Sequence, residues 1–138
     1  MHDFGLEFAH FGLATRSAET TLEFLRGLGY DTPETVYDPQ QRVNLVLCEH
    51  QTMPAVEVIF AADEGGPLDA ILAKQPQAIY HLCYCSRDLA GSLAALKVAG
   101  HRAIPVAPRK PAVLFGNRHV SFYMVRGFGL IEIIEDPE

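Results

Sequence analysis

IYHLCYC, at residues 79–85, is an apolar stretch with a single histidine at its centre. Its apolar and aromatic residues, uninterrupted by glycine or proline, predict a buried β-strand. Because side chains alternate along a strand, His81, Cys83 and Cys85 share one face. The two tyrosines and the leucine share the other face, which we expect to pack under a helix.

A second stretch of the same kind lies near the N-terminus. EFAHFGLA, at residues 7–14, also predicts a strand with a central histidine. A helix signal follows each strand: Ser17 is expected to cap a helix over residues 18–28, and Asp88 a helix over residues 89–99. The sequence therefore indicates a repeated strand–helix unit.

Three shorter strands are predicted after each helix. They lie at residues 34–37, 42–48 and 55–61 in the first half and at residues 102–106, 119–125 and 130–134 in the second. Between these strands we expect a short helix opened by Pro67, a proline-containing loop over residues 105–111 and an edge segment at residues 113–115. Each half thus has the order strand, helix, three strands.

Length and composition fit one globular domain. The chain has 138 residues, of which 49% are apolar and 20% are charged, so we assign residues 1–138 to one domain, with modules at about residues 7–62 and 78–136. The net charge of −6 argues against a nucleic-acid partner, and no apolar run is long enough to cross a membrane. Three cysteines in apolar strands favour reduced thiols in a cytoplasmic protein.

Four polar residues interrupt the apolar strands at matched places. His10 and His81 lie in the first strand of each half (81 − 10 = 71), and Glu57 and Glu132 lie in the last (132 − 57 = 75). A carboxylate buried alone is costly, and a bound divalent cation removes that cost. Two imidazoles and two carboxylates suit a divalent metal such as Zn, Ni, Co, Mn or Fe.

Each of these residues has an ordinary explanation when it is taken alone. A strand histidine is more often a satisfied core or edge residue, and a strand glutamate often faces water on an open sheet. We favour the metal site because all four residues match positions of a repeat. Glu135 has the opposite parity from Glu132 and is left out of the predicted set.

The motifs that carry these residues resemble those of the vicinal oxygen chelate superfamily. Its members include glyoxalase I, methylmalonyl-CoA epimerase, fosfomycin and bleomycin resistance proteins, and extradiol dioxygenases. FAHFGLA at residues 8–14 resembles the opening strand and AVEVI at residues 55–59 the fourth strand. YHLCY at residues 80–84 is similar to the epimerase strand before its capped helix, and GLIEI at residues 129–133 to the closing strand. The resemblance covers nearly the whole chain.

This resemblance implies a fold and a chemistry. It implies an α+β protein of two βαβββ modules that form a curled mixed sheet around a metal cup, a glyoxalase-like fold. The metal ligands carried over are His10, Glu57, His81 and Glu132. In these relatives the metal binds two neighbouring oxygens of a substrate and stabilises an enediolate or enolate while a base moves a proton. Because relatives are often homodimers, a homodimer is expected.

The third strand departs from the epimerase pattern. The epimerase has a glutamate there that acts as acid or base, and we match its position to Asn44, which cannot accept a proton at neutral pH. Glyoxalase I instead uses a metal-ligand glutamate as its base. Glu57 and Glu132 are therefore the predicted catalytic carboxylates, although no convincing match to glutathione-binding residues is present.

The seventh predicted strand supplies further candidates. His119 is the repeat partner of Asn44 (119 − 44 = 75) and is predicted to be a catalytic acid or base near pH 7. The predicted substrate-binding residues are Asn44, Ser121, Tyr123 and Arg118. The alternatives are a surface histidine at the start of a strand and an arginine in a solvated loop. The two cysteines that share the face of His81 are expected to pack.

The most consistent function is a metal-dependent isomerase or epimerase that transfers a proton next to a carbonyl, with an acyl thioester as a candidate substrate. One alternative is a resistance-type protein that binds and sequesters a small molecule, although those relatives lack the metal ligands. A further alternative is a ring-cleaving dioxygenase, which needs Fe(II) held by two histidines and one carboxylate. The extra Glu57 argues against it.

Overall fold

The computed structural model of the chain describes residues 4–62 and 66–136. Its strands are β1 (Leu6–Thr15), β2 (Val36–Asp38), β3 (Val43–Cys48), β4 (Ala55–Ala61), β5 (Gln77–Ser86), β6 (Ala103–Ala112), β7 (Arg118–Val125) and β8 (Gly129–Glu135). Its helices are α1 (Ala18–Gly27) and α2 (Leu89–Val98). The strands form a mixed sheet, which confirms the predicted α+β class and its two βαβββ modules.

The chain forms two compact units. The first unit contains the described residues between 10 and 80, and the second contains residues 4–9 together with residues 81–136. The assignment of one domain over residues 1–138, with modules at about residues 7–62 and 78–136, stays a prediction. Among the residues that the structure describes, no helix is both long and apolar enough to span a membrane.

In the first unit, four strands have the order β2-β3-β4-β1. β1 and β4 are parallel, and the other neighbours are antiparallel. Helix α1 packs Leu22 and Leu25 against Val46 and Val58 on one face of these strands. Each fully buried aliphatic side chain contributes roughly 1.5–3 kcal/mol, so this contact fixes which strand face the helix covers.

The second unit repeats this arrangement with the order β5-β8-β7-β6. β5 and β8 are parallel, and the other neighbours are antiparallel. Helix α2 packs Leu89 and Leu93 in one cluster with Tyr84, Ile131 and Ile133. This packing confirms the prediction that the tyrosine face of the strand at residues 79–85 lies under a helix.

The two helices begin at the predicted residues, but only one predicted cap forms. The Asp88 carboxylate accepts a hydrogen bond from the Gly91 backbone N–H at 3.0 Å. Ser17 is the N-cap residue of α1, yet its side chain makes no capping bond. Instead, the Thr15 hydroxyl oxygen accepts a hydrogen bond from the Ser17 backbone N–H at 3.0 Å.

The predicted loop over residues 105–111 is part of a strand. β6 runs from residue 103 to residue 112 in spite of Pro105, Pro108 and Pro111. Two features accommodate these prolines: β6 is the last strand of the order, where outward N–H groups need no partner, and its pairing with β7 has two register shifts. The predicted strand at residues 102–106 was therefore too short.

Two other predicted segments also differ. Residues 66–76 contain turns and no helix from Pro67, although Leu68 and Leu72 are buried. A helix this short lacks the propagated hydrogen bonds that repay its nucleation. Residues 113–115 form a single 3₁₀ turn, not an edge strand.

Candidate metal centre

His10 and Glu57 form a buried pair in the first unit. In the parallel ladder between β1 and β4, His10 lies opposite Ala55 and Gly12 opposite Glu57, so both polar side chains leave the same face. His10 Nε2 lies 3.5 Å from Glu57 Oε1. The two residues are 2% and 4% exposed, so the pair is shielded from bulk water.

His81 and Glu132 form the corresponding pair in the second unit. Cys83 lies opposite Glu132 in the parallel ladder between β5 and β8, and His81 shares the face of Cys83. His81 Nε2 lies 3.1 Å from Glu132 Oε1, and both residues are 2% exposed. Phe122 meets the His81 ring edge-on, with centroids 5.4 Å apart and an interplanar angle of 87°. This aromatic contact restricts the orientation of the imidazole.

The chemistry of these pairs suits a divalent cation. His10, Glu57, His81 and Glu132 are all buried, and all are of residue types that hold metal ions. Imidazole nitrogens and carboxylate oxygens are ordinary ligands of zinc and of neighbouring transition metals. Burying imidazole–carboxylate pairs costs desolvation energy that a bound cation would offset. The donor set therefore fits the predicted metal.

The cysteines belong to the packed core. Cys48, Cys83 and Cys85 are all free thiols. Cys83 and Cys85 pack in one cluster with Val120 and Ile134, which confirms the expected packing role. Burial raises the pKa of the Cys48 thiol to about 11, and it also raises the pKa of Cys85. These two thiols therefore stay protonated at neutral pH.

Sequence comparison places the chain in a family. Residues 9–122 match the family model described as the glyoxalase/bleomycin resistance protein/dioxygenase superfamily. The chain belongs to this superfamily. No curated protein matches the chain.

Similar solved structures share the superfamily fold at low sequence identity. Methylmalonyl-CoA epimerase from Mycobacterium tuberculosis is 20% identical, with 95% of this chain and 87% of that chain covered and a TM-score of 0.73. A hypothetical protein from Bacillus halodurans C-125 is 21% identical, with 96% of both chains covered and a TM-score of 0.76. A variant of Streptomyces coelicolor methylmalonyl-CoA epimerase in complex with 2-nitronate-propionyl-CoA is 17% identical, with 96% and 98% covered and a TM-score of 0.69.

The strand register shows on which face of β3 Asn44 lies, the residue that was matched to the epimerase glutamate. Asn44 lies opposite Phe60, which packs in the cluster beneath α1. Glu57 instead lies opposite Leu47, and residues opposite one another share a face. The structure therefore places Asn44 on the opposite face of the sheet from Glu57, and its predicted contact with substrate stays a prediction. On the face of Glu57, β3 presents only valine and leucine side chains, so this strand supplies no acid or base there.

The same alternation of side chains decides the face on which the predicted residues of β7 lie. Ser121 and Tyr123 lie opposite Ile133 and Ile131, which both pack beneath α2. The Tyr123 hydroxyl donates a hydrogen bond to Ser121 Oγ at 2.9 Å. His119 has the same parity and shares this helix-facing side. All three residues therefore lie on the opposite face of β7 from Phe122, and their predicted roles, a catalytic His119 and a substrate-binding Ser121 and Tyr123, stay predictions.

Arg118 lies on the other side of β7 and is held by local contacts. Its Nε donates a hydrogen bond to the Phe115 carbonyl oxygen at 2.9 Å, and its Nη1 lies 3.0 Å from Asp136 Oδ2. Its alternation with Phe122 places it on the face of the second His–Glu pair. Its predicted contact with substrate stays a prediction.

Phe122 is a neighbour of the second histidine–glutamate pair that the sequence interpretation missed. It lies directly opposite Glu132 on β7, as Leu47 lies opposite Glu57 on β3. The repeat offset between the glutamates also relates these two positions (122 − 47 = 75). Adding the offset of 75 to the position of Leu47, which lies opposite Glu57, would have identified Phe122.

Proposed function

We propose that this protein is a metal-dependent isomerase or epimerase that moves a proton on a carbon next to a carbonyl. The observation that carries the proposal is the buried histidine–glutamate pair that each unit contributes. Catalytic zinc sites use three protein ligands, so one pair alone is too few. The two pairs together supply His10, Glu57, His81 and Glu132 as ligands of one divalent cation, which is Zn, Ni, Co, Mn or Fe.

Glu57 and Glu132 are the proposed proton acceptors. When bound, the cation would act as a Lewis acid that stabilises negative charge on a substrate oxygen. On the ligand-bearing faces of β3 and β7, the described residues include no carboxylate and no histidine. The glutamates are therefore the carboxylates placed to accept and return a proton, which corresponds to the base of glyoxalase I and not to the separate epimerase glutamate.

An acyl thioester is the proposed substrate class. Support comes from the fold shared with methylmalonyl-CoA epimerases, one of which is in complex with 2-nitronate-propionyl-CoA. Arg118 is the proposed contact for an anionic group of the substrate, because a guanidinium binds carboxylate or phosphate through paired hydrogen bonds. We further propose a homodimer in the cytoplasm that acts as one domain over residues 1–138, without a nucleic-acid or membrane partner.

Hydrogen exchange with solvent tests this function directly. Metal-loaded protein is incubated in D₂O with a panel of 2-substituted acyl thioesters and α-hydroxy carbonyl compounds, and deuterium incorporation next to the carbonyl is followed by NMR. We expect incorporation for at least one compound, because a proton returned by a carboxylate has equilibrated with D₂O. Glu132→Gln should lower the exchange rate at least about 100-fold, the ordinary contribution of a general base.

A matched control is available on the same strand. Glu135 lies on the opposite face of β8 from Glu132 and pairs with Arg109. Glu135→Gln should therefore leave the exchange rate within about twofold of the parent. If the compounds bind but show no deuterium exchange, the enzymatic function is rejected and a sequestering protein is favoured. The apolar side chains of β3 on the face of Glu57 would suit such a binding protein.

A further inference from the structure

A groove in the second unit lies apart from the histidine–glutamate pair. It has a volume of about 420 Å³, and its walls include Leu96 of α2, Val125 of β7, Tyr84 of β5 and Ile131 of β8. Tyr84 and Ile131 alternate with the residues of the His81 face, so the groove opens on the opposite side of these strands. We name this cavity the α2 groove.

The polar groups of the α2 groove all favour an anion. Among the residues that the structure describes, its lining contains Arg126 and His101 and no carboxylate, although the chain has 17 acidic and 11 basic residues. In the described part of the chain, the Arg126 guanidinium has no hydrogen-bond or ion-pair partner. Burial raises the pKa of Tyr84, so its hydroxyl stays neutral and adds no negative charge.

The remaining walls are apolar and partly open to solvent. Phe128, in the turn between β7 and β8, is 59% exposed at the groove. Phe4 meets the His101 ring edge-on at 5.5 Å, which places the imidazole in the wall. The volume falls within the range of roughly 300–1,000 Å³ that small-molecule sites occupy.

We propose that the α2 groove binds a small apolar carboxylate, such as a medium-length acyl or aryl acid. The carboxylate would accept charge-assisted hydrogen bonds from Arg126, with His101 beside it. The hydrocarbon part would lie against Leu96, Val125 and Ile131, where its burial is favourable. This site is independent of the proposed metal chemistry.

Three ligands that share one hydrocarbon chain test this proposal. Sodium octanoate, 1-octanol and octyltrimethylammonium are titrated into the full chain by calorimetry and by protein-observed NMR. Octanoate should bind at least about tenfold more tightly than octanol, because a charged hydrogen bond contributes more than a neutral one. The ammonium compound should show no saturable binding, and the NMR shifts should map to α2 and the β7–β8 turn.

Variants separate the two parts of the site. Arg126→Gln should weaken octanoate binding about tenfold and leave octanol unchanged, whereas Phe128→Ala should weaken both ligands. Arg102→Gln is the matched control, since Arg102 neighbours Arg126 through a backbone hydrogen bond and is not part of the lining. Equal binding of octanoate and octanol, an unchanged affinity in Arg126→Gln, or no octanoate binding would each overturn the proposal.

The metal ligands provide a check that keeps this proposal separate from the function proposed above. Octanoate affinity should be the same in chelator-treated protein, in metal-loaded protein and in Glu132→Gln. An affinity that disappears with the metal would mean that the carboxylate binds at the metal centre, and it would reject the α2 groove as the site.

Discussion

In the first unit the imidazole nitrogen of His10 lies 3.5 Å from its glutamate, and in the second unit that of His81 lies 3.1 Å from its own. Both pairs are buried, and both join the first strand of a module to the last. Their neighbours on the adjoining strand differ, because Leu47 lies opposite Glu57 whereas Phe122 lies opposite Glu132. The repeat thus maintains the histidine–glutamate pairs while the side chains opposite them differ.

The starts of the two helices show the same combination of constancy and change. At the end of β1, the Thr15 hydroxyl accepts a hydrogen bond from Ser17 N–H and a second from the Thr21 hydroxyl. At the end of β5, Ser86 Oγ accepts from Asp88 N–H and shares a hydrogen bond with the Ser92 hydroxyl. These contacts repeat at the same offset of 71 as the histidines (86 − 15 = 71, 92 − 21 = 71). The local framework of each strand–helix corner is therefore preserved along with its histidine.

Metal stoichiometry gives the largest expected difference between one shared site and two separate ones. Protein purified without an affinity tag should contain about one transition-metal ion per chain. His10→Ala and His81→Ala should each lower the metal affinity, and the double variant, which keeps only two of the four ligands, should retain almost no metal, since catalytic zinc sites use three protein ligands. Elemental analysis after gel filtration measures this content.

A helix-facing histidine provides the control for that experiment. His119→Ala should keep a full complement of metal, because its side chain lies on the other face of β7. Two ions in the parent chain and one in each ligand variant would instead mean that the units bind metal separately. That result would contradict the proposed four-ligand site.

Strand periodicity and the repeat together singled out the four residues that form the two buried pairs. His10, His81, Glu57 and Glu132 each interrupt an apolar strand, and the alternation of side chains decides the face of each one. The same rule places Asn44 on the other face from Glu57, because Asn44 was matched by motif and not by parity to Glu57. A shift of one residue along a strand reverses the face completely, and His119, which was matched to Asn44 through the offset of 75, has the same placement.

Other features depended on tertiary context that local sequence does not contain. Three prolines in β6 predicted a loop, yet the edge position of this strand leaves their missing N–H groups without consequence. The Ser17 hydroxyl was a sound cap candidate by residue type. Its side chain makes no capping bond, and the Thr15 hydroxyl, two residues earlier, accepts the hydrogen bond from the Ser17 backbone N–H instead.

Phe122 is expected to have an intermediate effect, on the second pair alone. Phe122→Leu should weaken binding of Co(II) or Zn(II) by up to about tenfold, because an edge-on aromatic contact contributes about 0.5–1.5 kcal/mol beyond area burial. The visible absorption of the Co(II) protein should also change, because the His81 ring would no longer be held in one orientation by Phe122. Phe60→Leu, on the helix face of β4, is the control and should leave both readouts unchanged. Identical spectra for parent and Phe122→Leu would remove Phe122 as a positioning residue.

The smallest expected effect concerns the helix caps. Asp88→Ala should lower the free energy of unfolding by about 1 kcal/mol, because it removes the acceptor for the Gly91 N–H and a favourable charge at the start of α2. Ser17→Ala should change that free energy by less than about 0.5 kcal/mol, since its hydroxyl makes no capping bond. Urea unfolding measures both.

Gly91 provides a further test of this cap, because a Cβ there would collide with the Asp88 carboxylate. Gly91→Ala should therefore fail to stabilise the parent chain but should add up to about 1 kcal/mol in the Asp88→Ala background, where only helix propensity remains. Equal effects of Gly91→Ala in the two backgrounds would mean that the cap does not form in solution.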